Sequence, residues 1–222
     1  SLRLLPFPAA HGFFAISLSR SNSKRRVMKV FIRKRRLLVY ELADCLNEEP
    51  LLPTGIQWTQ ATRDSVSELF RDDPRRRKTF MRFIDKGYCG IVMYHGAQWV
   101  NYGWMSKPDT LGPPHLPLDI QRTPVYWLFY QHTIPNYRGL GLYKSPLQLQ
   151  AAYGARELET ARVLIDTRPD NTASRKGILA VGFEPRGIIY TYELRIPRVK
   201  SWVWGSWDMD AGHPGLDGGT RR

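Results

Sequence analysis

At 222 residues, with 42% hydrophobic and 12% aromatic content, the chain is long enough to bury a core and too apolar to be disordered. Its longest apolar run, residues 125–130, is far short of the ~20 residues of a membrane-spanning helix, so no membrane span is expected, and the sparse cysteines make a reducing compartment, the cytoplasm, the expected location. Two cysteines, Cys45 and Cys89, exclude a disulfide framework and a cysteine metal site. The net charge of +13 is concentrated: residues 1–40 hold ten Lys/Arg and no acid, residues 41–194 hold 18 against 17, and residues 195–222 hold five against three.

That distribution sets residues 1–36 apart as a basic extension, flexible or upstream of a start at Met28, and residues 197–222 as a Trp- and Gly-rich tail around Trp202, Trp204 and Trp207. A domain over residues 37–196 remains. Within it, residues 37–42 read as a short strand, and residues 56–58 alternate as the first core strand should. Val66, Leu69 and Phe70 recur at helical spacing, as do Phe80, Phe83 and Ile84, so two helices are expected to cover one face. Between them Asp72, Asp73 and Pro74 turn the chain, and Arg75, Arg76, Arg77 and Lys78 cluster at the start of the second helix. Residues 88–94 and 98–105 predict a hairpin closed at Gly96. Residues 106–122, with Pro108, Pro113, Pro114 and Pro117, read as an irregular loop of a length that is usually functional, with His115 in solvent.

The chemistry concentrates after the apolar run. Thr133, Ile134, Pro135, Asn136, Tyr137, Arg138, Gly139, Leu140, Gly141 and Leu142 lead into a helical segment that contains Pro146. Strand, glycine loop and helix make a phosphate cradle: glycine lets the backbone approach a ligand, and the helix's first amides are unpaired. Further on, Asn171 and Ser174 open a helix that closes at Gly182 and Phe183.

Taken in order, Pro135-x-Tyr137-Arg138-Gly139-x-Gly141, Asn171-x-x-Ser174 and Gly182-Phe183 resemble the GNAT superfamily of N-acyltransferases over residues 55–195. The resemblance implies a single α/β (α+β) domain with a mixed, mostly antiparallel sheet flanked by helices and splayed central strands. It also implies an acyl-CoA-dependent N-acetyltransferase that moves an acetyl or other acyl group directly to a primary amine without a metal. Acetyl-CoA would lie against Thr133, Arg138, Gly139, Leu140, Gly141, Leu142, Tyr143, Asn171 and Ser174. Tyr143 departs from the family's small residue, and Ile178 stands where a catalytic tyrosine is usual. The missing acid leaves three readings open: another phenol (Tyr130, Tyr190 or Tyr192), water, or CoA binding without transfer. His132 is the expected base and Tyr130 its catalytic companion, because an imidazole of pKa near 6.5 suits proton transfer at neutral pH. A small-molecule or peptide amine is the expected partner, with a homodimer open. The alternative is a non-catalytic CoA-binding or RNA/tRNA-associated module that uses the basic arm.

Overall fold

The computed structural model describes residues 31–42, 51–140, 142–157, 162–195 and 201–216. Eight strands form one sheet: β1 (Phe31–Leu42), β2 (Ile56–Gln60), β3 (Cys89–His95), β4 (Gln98–Ser106), β5 (Tyr126–Thr133), β6 (Val163–Thr167), β7 (Phe183–Arg195) and β8 (Trp202–Asp208). Their order is β2-β3-β4-β5-β6-β1-β7-β8. Only β5 and β6 run parallel, joined by a helical crossover; every other pair is antiparallel. The expected mixed, mostly antiparallel sheet is therefore found.

The helices are α1 (Arg63–Leu69), α2 (Pro74–Asp85), α3 (Leu118–Gln121), α4 (Lys144–Glu157) and α5 (Thr172–Leu179). Local chemistry starts them. Thr62 and Ser65 form a reciprocal capping box on α1, and the Asp73 carboxylate accepts from the Arg76 amide with Pro74 in the first turn of α2. On one face of the sheet, α1 and α2 bury Val66, Phe70, Phe80 and Phe83 against Val92, Tyr102, Trp104 and Phe129. On the other, α4 and α5 bury Leu147 and Ile178 against Leu38, Leu128 and Ile165.

Three sequence expectations need correction. β1 starts at Phe31, so the boundary drawn at residue 37 cuts a strand: residues 31–36 pair with residues 190–195 of β7. The arginines there are strand residues because β7 continues opposite them. The segment set apart from residue 197 contains β8, which pairs along β7 and lengthens the sheet. Residues 56–58 belong to an edge strand, with Trp58 39% exposed, rather than to the core.

Residues 106–122 are an ordered strap. The Tyr88 hydroxyl donates to the Gly112 carbonyl at 3.0 Å, and the Gly112 amide donates to the Gln121 carbonyl at 2.8 Å. Leu116 and Ile120 pack beneath it on Val39, Val125, Trp127 and Ile189. The strap and α3 thus occupy the α1/α2 face, over β5, β6 and β1.

Candidate active site

The parallel pairing of β5 and β6 is brief. It runs from Tyr126↔Val163 to Leu128↔Ile165, while β5 continues to Thr133. Beyond Leu128 the β6 side of β5 has no strand partner among the described residues, and a V-shaped gap opens. On its other side β5 carries an extra residue: between Tyr102↔His132 and Trp104↔Phe129, β4 takes two steps and β5 three. Tyr130 absorbs this bulge at φ 55°, in the left-handed region that non-glycine residues rarely occupy. Opposite the bulge, a Cβ on Gly103 would lie 1.9 Å from Gln131 Oε1. Glycine there leaves room for Gln131 to donate to Gln150 of α4 at 2.7 Å.

The glycine loop follows at once. A 3₁₀ turn, Pro135–Tyr137, leads to Arg138 and to Gly139 at φ 81°, and α4 begins at Lys144. A Cβ on Gly139 would meet nothing within 4 Å, so its conformation demands glycine while the space above it is open. Gly139 and Leu140 are exposed; Gly141 lies outside the described residues. Asn101, buried in β4, ties the two ends of the loop together, donating to Thr133 Oγ1 at 2.6 Å and to the Leu142 carbonyl at 3.3 Å. An open loop with fixed ends at the start of a helix fits a pyrophosphate.

The residues assigned to acetyl-CoA separate into two groups. Arg138, Gly139 and Leu140 present an exposed rim. The Arg138 Nε donates back to the Thr133 carbonyl at 3.1 Å and steadies the turn. The side chains of Thr133 and Leu142 point inward. The Asn171 carboxamide accepts from the Ser174 amide at 3.3 Å, capping α5. Ser174 is buried and shares a short hydrogen bond with the Tyr143 hydroxyl. The Tyr143 ring lies so close over Gly177 that a Cβ there would approach it to 2.4 Å. Ile178, at the family's tyrosine position, is wholly buried, and the phenol beside it comes from the loop instead. Burial pushes the Tyr143 hydroxyl above its usual range, although Ser174 works the other way, so it stays protonated at neutral pH.

His132 lies over β4, its ring 5.4 Å from that of Tyr102 and nearly parallel to it. Burial, then the charges of Arg76 and Arg138, hold its pKa below the ordinary histidine value. Arg76 is the only member of the basic cluster that reaches this site among the described residues, donating to the Tyr102 hydroxyl at 3.1 Å and pairing with Asp73. Tyr130 is half exposed, its ring stacked 6.0 Å from Tyr102. Tyr190 and Tyr192, the other phenols considered, belong to β7, three strands from β5 and so roughly 14 Å away.

His115 is not in solvent. Its Nε2 sits 3.0 and 3.1 Å from the two oxygens of Asp166, whose Oδ1 also accepts from Trp127 Nε1 at 2.8 Å. Asp166 is the first β6 residue past the last pair with β5, at the vertex of the V, and its side chain is only 7% exposed. Burial disfavours the imidazolium, but the charge and hydrogen bond of Asp166 outweigh burial and the nearby Arg35 and hold His115 above its usual pKa. An ionised carboxylate only accepts, so Nε2 carries a proton and the lone pair of neutral His115 is on Nδ1. Sequence reasoning missed this dyad because its members are 51 residues apart; the one local signal was an aspartate in the apolar run 163–167.

Two clefts of about 560 and 380 Å³ lie toward the β2 edge, lined by residues such as Glu68, Asp72 and Tyr94, and Trp58, Cys89 and Leu149, respectively. Neither includes a residue of the glycine loop or the dyad. Among the described residues no group of three or more His, Cys, Asp or Glu could hold a metal ion, and no helix is long and apolar enough to cross a membrane.

No family model and no curated protein matches the chain. Solved structures do. A tandem GNAT protein from the clavulanic acid biosynthesis pathway aligns with a TM-score of 0.54 at 17% identity over 75% of this chain and 55% of that one. A putative GNAT-family acetyltransferase from Novosphingobium aromaticivorans aligns at 0.51 and 16%, over 80% and 68%. A Drosophila protein aligns at 0.54 and 12%, over 74% and 52%. The chain spans about half the length of the tandem and Drosophila proteins. With its splayed parallel pair, β5 bulge and glycine loop opening α4, the chain has the fold of the GCN5-related N-acetyltransferases.

Proposed function

We propose that the protein is an acyl-CoA-dependent N-acyltransferase that transfers an acetyl group directly to a primary amine. The observation that carries this reading is the V between β5 and β6, which runs into an open, glycine-bearing loop at the start of α4. Acetyl-CoA as co-substrate would place its pyrophosphate at residues 138–143 and its pantetheine along the free side of β5.

In the transfer the amine nitrogen attacks the thioester carbonyl, a C–N bond forms, the C–S bond breaks and the sulfur leaves as thiolate. The amine proton needs an acceptor that becomes cationic, and this requirement separates the two histidines. A proton on His132 would sit with Arg76 and Arg138 nearby; a proton on His115 would be stabilised by Asp166. The assignment of the base therefore moves from His132 to Nδ1 of His115, with Asp166 and Trp127 fixing the ring. CoA thiolate, from a thiol of pKa about 8.5, leaves without an obligatory acid, and Tyr130 at the bulge is the phenol best placed to assist.

The test is thiol release from acetyl-CoA with a panel of primary amines: amino acids, polyamines, aminosugars and peptides with free N-termini. Amine-dependent release that is lost in His115→Ala, with acetyl-CoA binding retained, supports the reading. Binding without amine-dependent release favours a CoA-binding module.

A further inference from the structure

The ribbon formed by β1, β7 and β8 is built differently from the rest of the sheet. Its register places three cross-strand rows on one face: Arg36, Tyr190 and Ser206; Lys34, Tyr192 and Trp204; Ile32, Leu194 and Trp202. The core under α5 ends at Tyr190, and the outer rows belong to no core cluster. Trp202 is 69% exposed and Trp204 39%, while Lys34 and Arg36 are exposed. The Tyr192 and Trp204 rings stack at 5.8 Å and 19°, Trp202 lies 6.1 Å from Trp204, and the Lys34 ammonium is 5.6 Å from the Tyr192 ring centre.

These three rows carry two cations, four aromatic rings and no carboxylate; Asp208, opposite Ile188, stands on the same face in the next row. Glu193, between Tyr192 and Leu194 in sequence, is on the opposite face, paired with Arg35 at 2.7 Å. The surrounding sequence is cationic as well: the β7–β8 connection carries Arg198 and Lys200, and residues 1–30 hold six Lys/Arg and no acid. Exposed rings beside exposed cations suit a polyanion that also offers flat π-faces, because bases stack on the rings while Lys and Arg meet phosphates. A second copy of the chain suits the face less well: a two-fold contact sets a patch against itself, and the three rows hold two cations and no acid to meet them.

We propose that the β1/β7/β8 face binds single-stranded nucleic acid, with Trp202 and Trp204 stacking on bases and Lys34 and Arg36 on phosphates. The proposal is independent of acyl transfer, since none of these residues touches the glycine loop or the dyad.

The test is fluorescence anisotropy of the full chain with a labelled mixed-sequence 20-nucleotide RNA, the same sequence as DNA, and the RNA annealed into a duplex. The expected result is tighter binding of either single strand than of duplex, weakening steeply between 50 and 200 mM salt, with quenching of tryptophan fluorescence. Trp202→Ala/Trp204→Ala should weaken single-strand binding at least ~5-fold. Lys34→Glu/Arg36→Glu, which changes only exposed side chains, should weaken it and reduce the salt dependence. Absence of binding, equal affinity for duplex, or loss only on changing Lys24, Arg25 and Arg26 to Glu overturns the proposal. So does a dimer, seen by light scattering, that the tryptophan variant dissociates while RNA binding is unchanged.

Discussion

Two histidines lie on the same face of one sheet, and their surroundings push them in opposite directions. His132 stands over β4, half buried against Tyr102, in the field of Arg76 and Arg138; His115 hangs from the strap over β6 with Asp166 against its Nε2. The first takes up a proton less readily than free histidine does. The second takes one more readily than free histidine does. The sequence alone favours His132 and leaves His115 in solvent; the carboxylate at the vertex of the V distinguishes them.

The largest expected effect that would break this comparison is on turnover. His115→Ala should lower the rate of acetyl transfer to a responsive amine ~10²–10⁴-fold, the usual worth of a general base, whereas His132→Ala should cost less than about tenfold. A steady-state comparison of the two variants checks this, and the reverse ranking would contradict the assignment.

The pH profile sharpens the same contrast. A base with a raised pKa becomes competent only above that value, so the acidic limb of kcat/KM should fall above pH 6.5. If His132 were the base, its lowered pKa would put the limb below 6.5. Asp166→Asn removes the charge that raises His115 and should move the limb toward lower pH.

Stability provides a third measurement. Phe80 is wholly buried among Phe70, Tyr102 and Trp104 beneath the region that holds His132. Phe80→Ala should cost ~3–5 kcal/mol in denaturant unfolding and disturb the His132 side of the site more than the His115 side. The smallest effect is one of linkage. Because the folded pKa of His115 is raised, its stabilisation is complete below about pH 6.5, the unfolded value, and is lost as pH rises through the folded value. Wild type should therefore lose more stability across that window than His115→Gln.

What was legible in the sequence was what the backbone decides locally. Gly139 needs a left-handed φ, Asn171 caps a helix it immediately precedes, and Gly96 closes a two-residue turn; each is a near-neighbour requirement that the residue type reveals. The dyad was not legible, because a strap packed by Leu116 and Ile120 carries His115 to a strand 51 residues later. Nor was the placement of the N-terminal strand between β6 and β7. Arg33, Lys34, Arg35 and Arg36 read as a charge run, and only pairing along β7 makes them a strand with two different faces. Gly103 carried a usable signal: a glycine inside a strand marks a close approach, here that of Gln131.

The most direct test of the central claim is calorimetric titration of acetyl-CoA into the wild type and into Gly139→Trp, with thermal unfolding as the control for fold. The account predicts saturable binding by the wild type that the variant loses, since the new side chain must occupy the open space above the loop. A folded wild type that binds no acetyl-CoA would contradict it.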